Sequence, residues 1–337
     1  MSTPTSSGAA LTDRGVDLAG ESRVRQVKDR LAGVVVWASF GLAMIPLAWI
    51  LWTVFGYGIR LLTESTWWTT SQRNINATDS GGGAVHAIWG TLIEGGVTAA
   101  ISVPIGVLTA IYLVEYGQGR FARVVSFMVD VLGGVPSIVA ALFVYAVWIT
   151  TLGLQRVGFA VCLALVLLMV PVVVRSTEEM LKLVPNELRE ASFALGVPKW
   201  VTVVRVVLPT AFSGIVTGVL LGLARVMGET APLLILGPYT KSIATNLFSG
   251  YLPTLPTMIN QDRTEIGIDT AVERMWATAL TLILLVLVLN LLGRAGRPRR
   301  AGQGLTRIEG RRTRRWPHAS TSRTSTCTTA PSKRSRG

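Results

Sequence analysis

The sequence predicts an all-α integral membrane protein with six transmembrane helices. Of its 337 residues, 50% are hydrophobic and only 15% are charged, and the mean hydropathy is +0.49. This composition is untypical of soluble domains and of disordered chains. The apolar residues also fall into six runs that are each long enough to cross a bilayer as a helix. Two cysteines, Cys162 and Cys327, are too few for a disulfide-stapled secreted module.

Prolines within these runs predict a packed bundle rather than isolated helices. A proline lies in, or at the edge of, every run except the last, and neighbouring protein must satisfy the backbone groups that it frees at membrane depth. The second and third runs are long enough to contain a tilt or a break. The predicted spans are Gly33–Tyr57, His86–Val114, Val124–Thr150, Gly158–Val174, Ala211–Leu236 and Met275–Leu292.

The distribution of cationic residues predicts that both termini are cytoplasmic. With the N-terminus inside, the inner segments up to residue 292 carry 12 Lys and Arg residues and the outer segments carry six, as the positive-inside rule requires. Five tryptophans between residues 49 and 89 cluster near the predicted outer interface. We therefore expect a cytoplasmic segment over residues 1–32 and a transmembrane domain over residues 33–292.

A soluble stretch between spans four and five predicts a short amphipathic helix at about residues 185–198. Pro185 and two early acidic residues favour its start, and Gly196, with Pro198 beyond it, favours its end. On periodicity alone, this helix either lies on the membrane surface or offers small residues to another protein. The stretch reads Glu187-Leu-Arg-Glu190-Ala191-Ser192-Phe-Ala-Leu-Gly196, followed after nine residues by Val206-Val-Leu-Pro209.

A second group of polar residues lies inside predicted span five. Arg225 and Glu229 are four residues apart, so on a continuous helix they share one face and can pair. Such an intramembrane pair is costly and usually faces the interior of a bundle. It either fixes packing only, or it lines an anion path in which Arg225 supplies positive charge and donors. Gly228 permits unwinding or close packing, and Thr230 follows it in the same path.

A third pattern predicts a break near the start of span three. Pro136 removes a helical hydrogen bond, and Gly133 and Gly134 before it permit a bend. The hydroxyl of Ser137 can bond to its own helix, or it can donate to freed carbonyls or to a passing anion. Both roles for Ser137 remain open. Gly134, Pro136 and Gly228 are therefore the predicted hinges or breaks.

These stretches together resemble one family of transporters. The spacing Glu-Ala-Ala-x3-Gly-x9-Ile-x-Leu-Pro is the signature of permease subunits of bacterial ABC importers, and here Ser192 and Val206 replace the second Ala and the Ile. The runs Asp130–Val139, Arg225–Leu234 and Ala110–Tyr116 are similar to those of the A-type phosphate-specific permeases. The resemblance covers about Gly33 to Leu292.

The resemblance implies a MetI-like ABC type I importer permease fold in the bacterial cytoplasmic membrane. It implies a non-catalytic subunit that moves inorganic phosphate, with Arg225 and Glu229 taking part in transport. The implied partners are a homologous permease in a heterodimer, an ABC ATPase dimer, an extracytoplasmic phosphate-binding protein and membrane lipid, with no nucleic acid. The helix that carries Glu190, Ala191, Ser192 and Gly196 would dock into the ATPase.

The sequence lacks the motifs of an enzyme that acts alone. It has no Walker A pattern, so ATP and Mg²⁺ are expected on the partner ATPase and no cofactor is expected in this chain. Its two histidines, His86 and His318, are too isolated for a metal site. The alternatives are a permease for another oxyanion, such as sulfate or molybdate, or a non-ABC membrane protein such as an enzyme or a sensor.

Residues 293–337 form a basic, low-complexity tail. They include 13 Lys and Arg residues and one acid, Glu309, without apolar periodicity. Two explanations remain open. The tail is either a disordered segment near anionic lipid, or the product of a frameshift into a downstream ATPase gene. Sequencing the DNA junction distinguishes them, because unrelated codons in the shifted frame exclude the second.

Overall fold

The computed structural model describes residues 23–237 and 239–295, and in this part of the chain all regular elements are helices. The basic tail from residue 296 onward and residues 1–22 of the predicted N-terminal segment lie outside the described residues. The helices are α1 (Arg23–Leu62), α2 (Ser65–Thr69), α3 (Val85–Ile111), α4 (Gly119–Gly134), α5 (Ser137–Val144), α6 (Gly158–Lys182), α7 (Asn186–Ala194), α8 (Lys199–Thr202), α9 (Leu208–Met227), α10 (Ala231–Leu236), α11 (Leu255–Thr264) and α12 (Asp269–Ala295).

The all-helical membrane fold that the sequence predicts is confirmed. Five helical stretches are long and apolar enough to span a membrane, and the bent pair α4 and α5 makes a sixth when it counts as one span. The helical axis bends by 104° between α4 and α5. Val135 is extended between them, as the residue before a proline usually is, because the ring of Pro136 disfavours a helical conformation there.

Span five differs from the continuous run predicted over Ala211–Leu236. Its helical stretch begins earlier, at Lys199, and ends at Met227, and α10 follows as a separate short helix. Pro232 explains the break. In a continuous helix, residue 232 would donate its N–H to the carbonyl of Gly228, but proline has no N–H, and its ring would clash with that carbonyl. The last turn closes instead through the N–H of Gly228, which donates to the carbonyl of Arg225 at 3.2 Å.

The centre of the bundle is α6, which packs against α3, α4, α5, α9 and α10. Small residues allow these helices to approach closely, as is usual between membrane helices. A Cβ atom added to Gly106 of α3 would lie 2.7 Å from Val173 of α6, and one added to Gly218 of α9 would lie 2.5 Å from Ser176. By contrast, α1 packs mainly on α12, and most of its residues before Val54 are exposed.

The bundle has two ends, which α3 connects. Near the start of α3, Thr91 Oγ1 accepts a hydrogen bond from the N–H of Leu255 in α11. At the other end, Glu115 lies in the helical turn Tyr112–Tyr116 that directly continues α3, and it pairs with Arg189 of α7. Since α3 has 27 residues, these ends are separated by roughly 40 Å. They are named below the α11 end and the α7 end.

Candidate functional site

The predicted short helix is present as α7, between Asn186 and Ala194, with Pro185 directly before it. Gly196 follows it with a φ of +74°, a conformation that glycine adopts at little cost and that is common at helix ends. The N–H of Gly196 donates to the carbonyl of Phe193 at 2.9 Å, and the N–H of Val197 donates to Ser192 at 3.2 Å. These bonds end the helix and turn the chain toward α8.

The four residues assigned to docking divide between two sides of α7. Glu190, Ala191 and Gly196 are exposed, whereas Ser192 is buried and its hydroxyl lies 2.8 Å from that of Thr202. Ser192 therefore ties α7 to α8 rather than facing outward. The exposed side also carries apolar side chains that nothing in the described chain covers. They are Leu183, Leu188, Phe193, Leu195 and Trp200. Such a patch on a structured end of a protein is typical of an interaction surface.

A buried ion pair connects α7 to the end of α3. Arg189 donates through Nε and Nη2 to Oε1 of Glu115, at 3.1 and 3.0 Å. Its guanidinium also donates to the carbonyls of Leu181 and Val184, at 2.9 and 2.7 Å. The exposed fraction of the side chain is 14% for Arg189 and 6% for Glu115. The ion pair therefore links α7 to the end of the helical stretch that runs the length of the bundle.

A second charged cluster joins α4 to α6 near the α7 end. Arg175 donates through Nε to Oδ1 of Asp130 at 2.9 Å and also pairs with Glu178. Lys182 pairs with the other oxygen of Glu178 at 2.6 Å. Two acids and two bases thus neutralise one another. Asp130 is exposed and belongs to this network.

Arg225 and Glu229 lie on either side of the point where α9 ends. The Nε atom of Arg225 is 3.9 Å from Oε1 of Glu229, which is too long for a hydrogen bond. The exposed fraction of the side chain is 69% for Arg225 and 21% for Glu229. Because Glu229 lies beyond the last helical residue, the two residues do not form the i and i+4 pair of a continuous helix. The guanidinium of Arg225 therefore faces away from the chain's own bundle.

Both helix breaks belong to the same region of the bundle. The short helix α10, which follows the break at Gly228, packs against α5, which follows the break at Pro136. Ser137 begins α5 and is partly exposed. No hydrogen bond between side chains of the described residues joins Ser137 to Arg225, Glu229 or Thr230. The structure thus packs the helices that follow the two breaks against each other, without placing the four path residues in one cluster.

The α11 end contains a buried polar network that the sequence did not indicate. His86 Nε2 lies 2.8 Å from the hydroxyl of Tyr239, which donates to Gln72 at 2.7 Å. Beside it, Oδ1 of Asp262 lies 3.9 Å from Nε of Arg274. Burial raises the pKa of Asp262 to about 6 and raises the pKa of Tyr239 above its ordinary value.

Several of these contacts were not foreseen because their partners are distant in sequence. Arg189 is inside the docking motif, but Glu115 is 74 residues away. Gln72 and Tyr239 are separated by 167 residues. One signal was present for the first pair, since Glu115 is an acid at the end of an apolar run and needs a cation there.

Comparison with known proteins agrees with this geometry. Residues 102–302 match the family described as binding-protein-dependent transport system inner membrane component. The chain is 54% identical over 267 residues to phosphate transport system permease protein PstA 1 of Mycobacterium tuberculosis (strain CDC 1551 / Oshkosh), covering 79% of this chain and 88% of the relative. It is 36% identical to phosphate transport system permease protein PstA of Haemophilus influenzae, covering 80% of this chain and 94% of the relative.

A solved structure shows the same fold at low sequence identity. It is a crystal structure of a bacterial ABC transporter involved in the import of the acidic polysaccharide alginate, with a TM-score of 0.53 and 15% identity. The match covers 82% of this chain and 100% of the solved chain. The fold, the motif match and the identity to these relatives agree. The chain therefore belongs to the family of phosphate transport system permease proteins, which are binding-protein-dependent transport components of the inner membrane.

Proposed function

We propose that this chain is the permease subunit of an ATP-driven importer that moves inorganic phosphate across the cytoplasmic membrane. The observation that carries the proposal is the exposed guanidinium of Arg225 at a helix break, in a chain whose relatives are phosphate transport permeases. Phosphate carries between one and two negative charges at pH 7. An arginine that is not held by its own bundle can neutralise part of that charge with donors in fork geometry.

The α7 end faces the cytoplasm and the α11 end faces outward in this proposal. The excess of Lys and Arg in the segments that belong to the α7 end supports this orientation, and it places both termini in the cytoplasm. The outer end then carries α2, α11 and the long loops around them. These surfaces receive the phosphate-binding protein.

ATP is hydrolysed by a partner subunit, and α7 is the helix that contacts this subunit and moves when it changes conformation. The exposed Glu190, Ala191 and Gly196, with the apolar patch around Leu195, dock into a groove of an ABC ATPase dimer that binds ATP and Mg²⁺. When the ATPase closes, α7 moves, and the pair between Arg189 and Glu115 pulls on the end of α3. No cofactor is needed in this chain itself.

The anion path lies between this chain and a homologous permease in a heterodimer. Arg225 is exposed, and Glu229 lies 3.9 Å away without a hydrogen bond, so the acid is a nearby counter-charge that does not occupy the donors of Arg225. Thr230 and Gly228 line a cavity next to the break. Ser137 begins α5, directly after the break at Pro136, and α5 packs against α10. Its hydroxyl supplies a further hydrogen-bond donor to the anion.

The test uses this chain with a partner permease and the ATPase in lipid nanodiscs. Binding protein loaded with phosphate should stimulate ATP hydrolysis, and binding protein loaded with sulfate should not. Stimulation by the sulfate form alone would keep the ABC architecture and replace the substrate. An assembled complex that responds to neither form would refute the docking role of α7.

A further inference from the structure

A cavity of 290 Å³ lies between α11 and the break that separates α9 from α10. Gly228, Thr230 and Leu234 of the break form one wall, and residues of α11 with Leu282 of α12 form the other. The volume corresponds to roughly ten water molecules at the density of the liquid. This volume is sufficient for a small tetrahedral anion with part of its hydration shell.

One face of α11 forms a whole side of this cavity. Pro256, Ile259, Asn260 and Arg263 all line it, and their spacing of three, four and seven residues places them on one side of a helix. Arg263 donates through Nη2 to Oδ1 of Asn260 at 3.3 Å. The polar end of this face is thus a guanidinium beside an amide.

The helix that presents Arg263 is firmly held. The N–H of Leu255 donates to Oγ1 of Thr91 in α3 at 2.9 Å, and Thr254 and Thr257 form a capping box at the start of α11. A Cβ atom added to Gly90 would lie only 1.6 Å from the carbonyl oxygen of Pro253. Because α11 and α3 fit this closely, the cavity exists before any anion enters.

The charge of Arg263 is not compensated by an acid within residues 23–237 and 239–295. The carboxylate of Asp262 lies on the other side of α11, where it is buried 3.9 Å from Nε of Arg274. Glu265 lies within 3.5 Å of the Gln261 amide. Arg263 is exposed, so an anion arriving from solution can reach its guanidinium, which offers charge-assisted donors to a small oxyanion.

We propose that Arg263, with the amide of Asn260 and the hydroxyl of Thr230, forms a receiving site for phosphate on the outer side of the membrane. Gly95 of α3 packs against Met227, so the break lies roughly 15 Å from the start of α3. Arg225 lies about one helical turn before the break, nearer the α7 end. Phosphate released by the binding protein binds first at Arg263 and then at Arg225. This inference rests on the proposed phosphate import and on the orientation given above.

The first test replaces Arg263 with Gln in the complete complex, reconstituted in liposomes with binding protein. Phosphate uptake should fall roughly 10- to 100-fold, the effect of losing a hydrogen bond to a charged group. Stimulation of ATP hydrolysis by the loaded binding protein should stay unchanged, and Arg263→Lys should recover part of the uptake. The matched control is Arg73→Gln, in an exposed outer loop, which should transport as the wild type does.

The second test detects the anion directly. An Ile259→Cys reporter is placed in the cavity together with Cys327→Ser, because the remaining cysteine, Cys162, is buried. Any cysteines of the other subunits are replaced by serine before labelling. Inorganic phosphate should slow labelling of the reporter by a neutral maleimide, and Arg263→Gln should abolish this protection. Labelling that depends on the fraction of anionic lipid, but not on added phosphate, would assign the site to a lipid headgroup and overturn the proposal.

The results also separate this inference from the proposed function. A wild-type complex that does not transport phosphate refutes the function. A wild-type complex that transports phosphate, while Arg263→Gln transports equally well, refutes only the receiving site. If Arg263→Gln loses ATPase stimulation together with uptake, Arg263 contacts the binding protein, and the receiving site is again refuted.

Discussion

Replacing Glu115 with Gln should uncouple ATP hydrolysis from transport while the complex still assembles. The substitution keeps the shape of the side chain and removes its charge. Arg189 then loses the acid to which it donates through Nε and Nη2. Because both side chains are largely buried, the remaining guanidinium is an uncompensated charge at the contact between α7 and the end of α3.

The free-energy cost of Glu115→Gln follows from this burial and from the hydrogen bonds that Arg189 keeps. Removing one partner of a buried ion pair costs about 3–5 kcal/mol. Arg189 keeps its bonds to the carbonyls of Leu181 and Val184, which continue to stabilise its charge. We therefore expect a cost of about 2–3 kcal/mol, equivalent to roughly a 30- to 160-fold shift in the equilibrium that holds α7 against α3.

The assay compares phosphate uptake with ATP hydrolysis in the same liposomes. The number of phosphate ions moved per ATP should fall at least roughly tenfold, and amide hydrogen exchange over residues 186–194 should become faster. The control is Glu187→Gln, which removes an exposed acid from the first turn of the same helix and should leave both measurements unchanged.

Two results would refute this reasoning. The first is a Glu115→Gln complex with wild-type coupling and unchanged hydrogen exchange. The second is a double-mutant cycle of Glu115→Gln and Arg189→Gln in which the two effects simply add, since residues that act through one contact show a coupling energy. Either result would mean that α7 transmits its movement by another route.

Three further predictions concern Arg225, Gly196 and Asp262. Arg225→Gln should abolish phosphate uptake in an assembled complex, and retained uptake would reduce Arg225 to a packing role. Gly196→Asp should lower ATPase stimulation without affecting membrane insertion, because aspartate is strained at a φ of +74°; normal stimulation would exclude a docking role for this turn. Burial raises the pKa of Asp262 to about 6, above its value in an unfolded chain. As the pH rises from about 4 to about 6, the free energy of unfolding should therefore fall by up to roughly 3 kcal/mol, because the folded state binds the proton of Asp262 more tightly than the unfolded chain does. Asp262→Asn should flatten this slope in thermal unfolding, and parallel curves for both proteins would contradict the assignment.

Local rules in the sequence were sufficient for the spans, for α7 and for the bend at Pro136. Each depends on residues that are close in the chain, such as Pro185 and Gly196 around α7. The sequence predicted a hinge or break at Gly228, but the apolar run continued to Leu236 and did not show that a separate short helix follows, which Pro232 explains. Hydropathy also does not reveal α11, since this helix is polar on several sides and is held in place by a bond to α3.

The ion pairs and the buried network required the fold itself. Glu115 and Arg189 are both visible in the sequence, but only the fold, which brings Arg189 of α7 next to the segment that follows α3, makes them neighbours. The same holds for Asp262 and Arg274, whose helices α11 and α12 pack against each other. Periodicity identifies which face of a helix is apolar, but it does not identify which charged residue on another helix will meet it.

The exposure of Arg225 bears on where transport takes place. A charged side chain in contact with lipid at membrane depth costs about 2.5–3.5 kcal/mol or more, and Glu229 at 3.9 Å offers no hydrogen bond to offset this cost. Met227, two residues further on, packs against Gly95 of α3, so Arg225 lies well inside the bundle's length. We infer that water or a second subunit covers its guanidinium. A second subunit at this position would make the proposed anion path a feature of the assembled complex rather than of this chain alone.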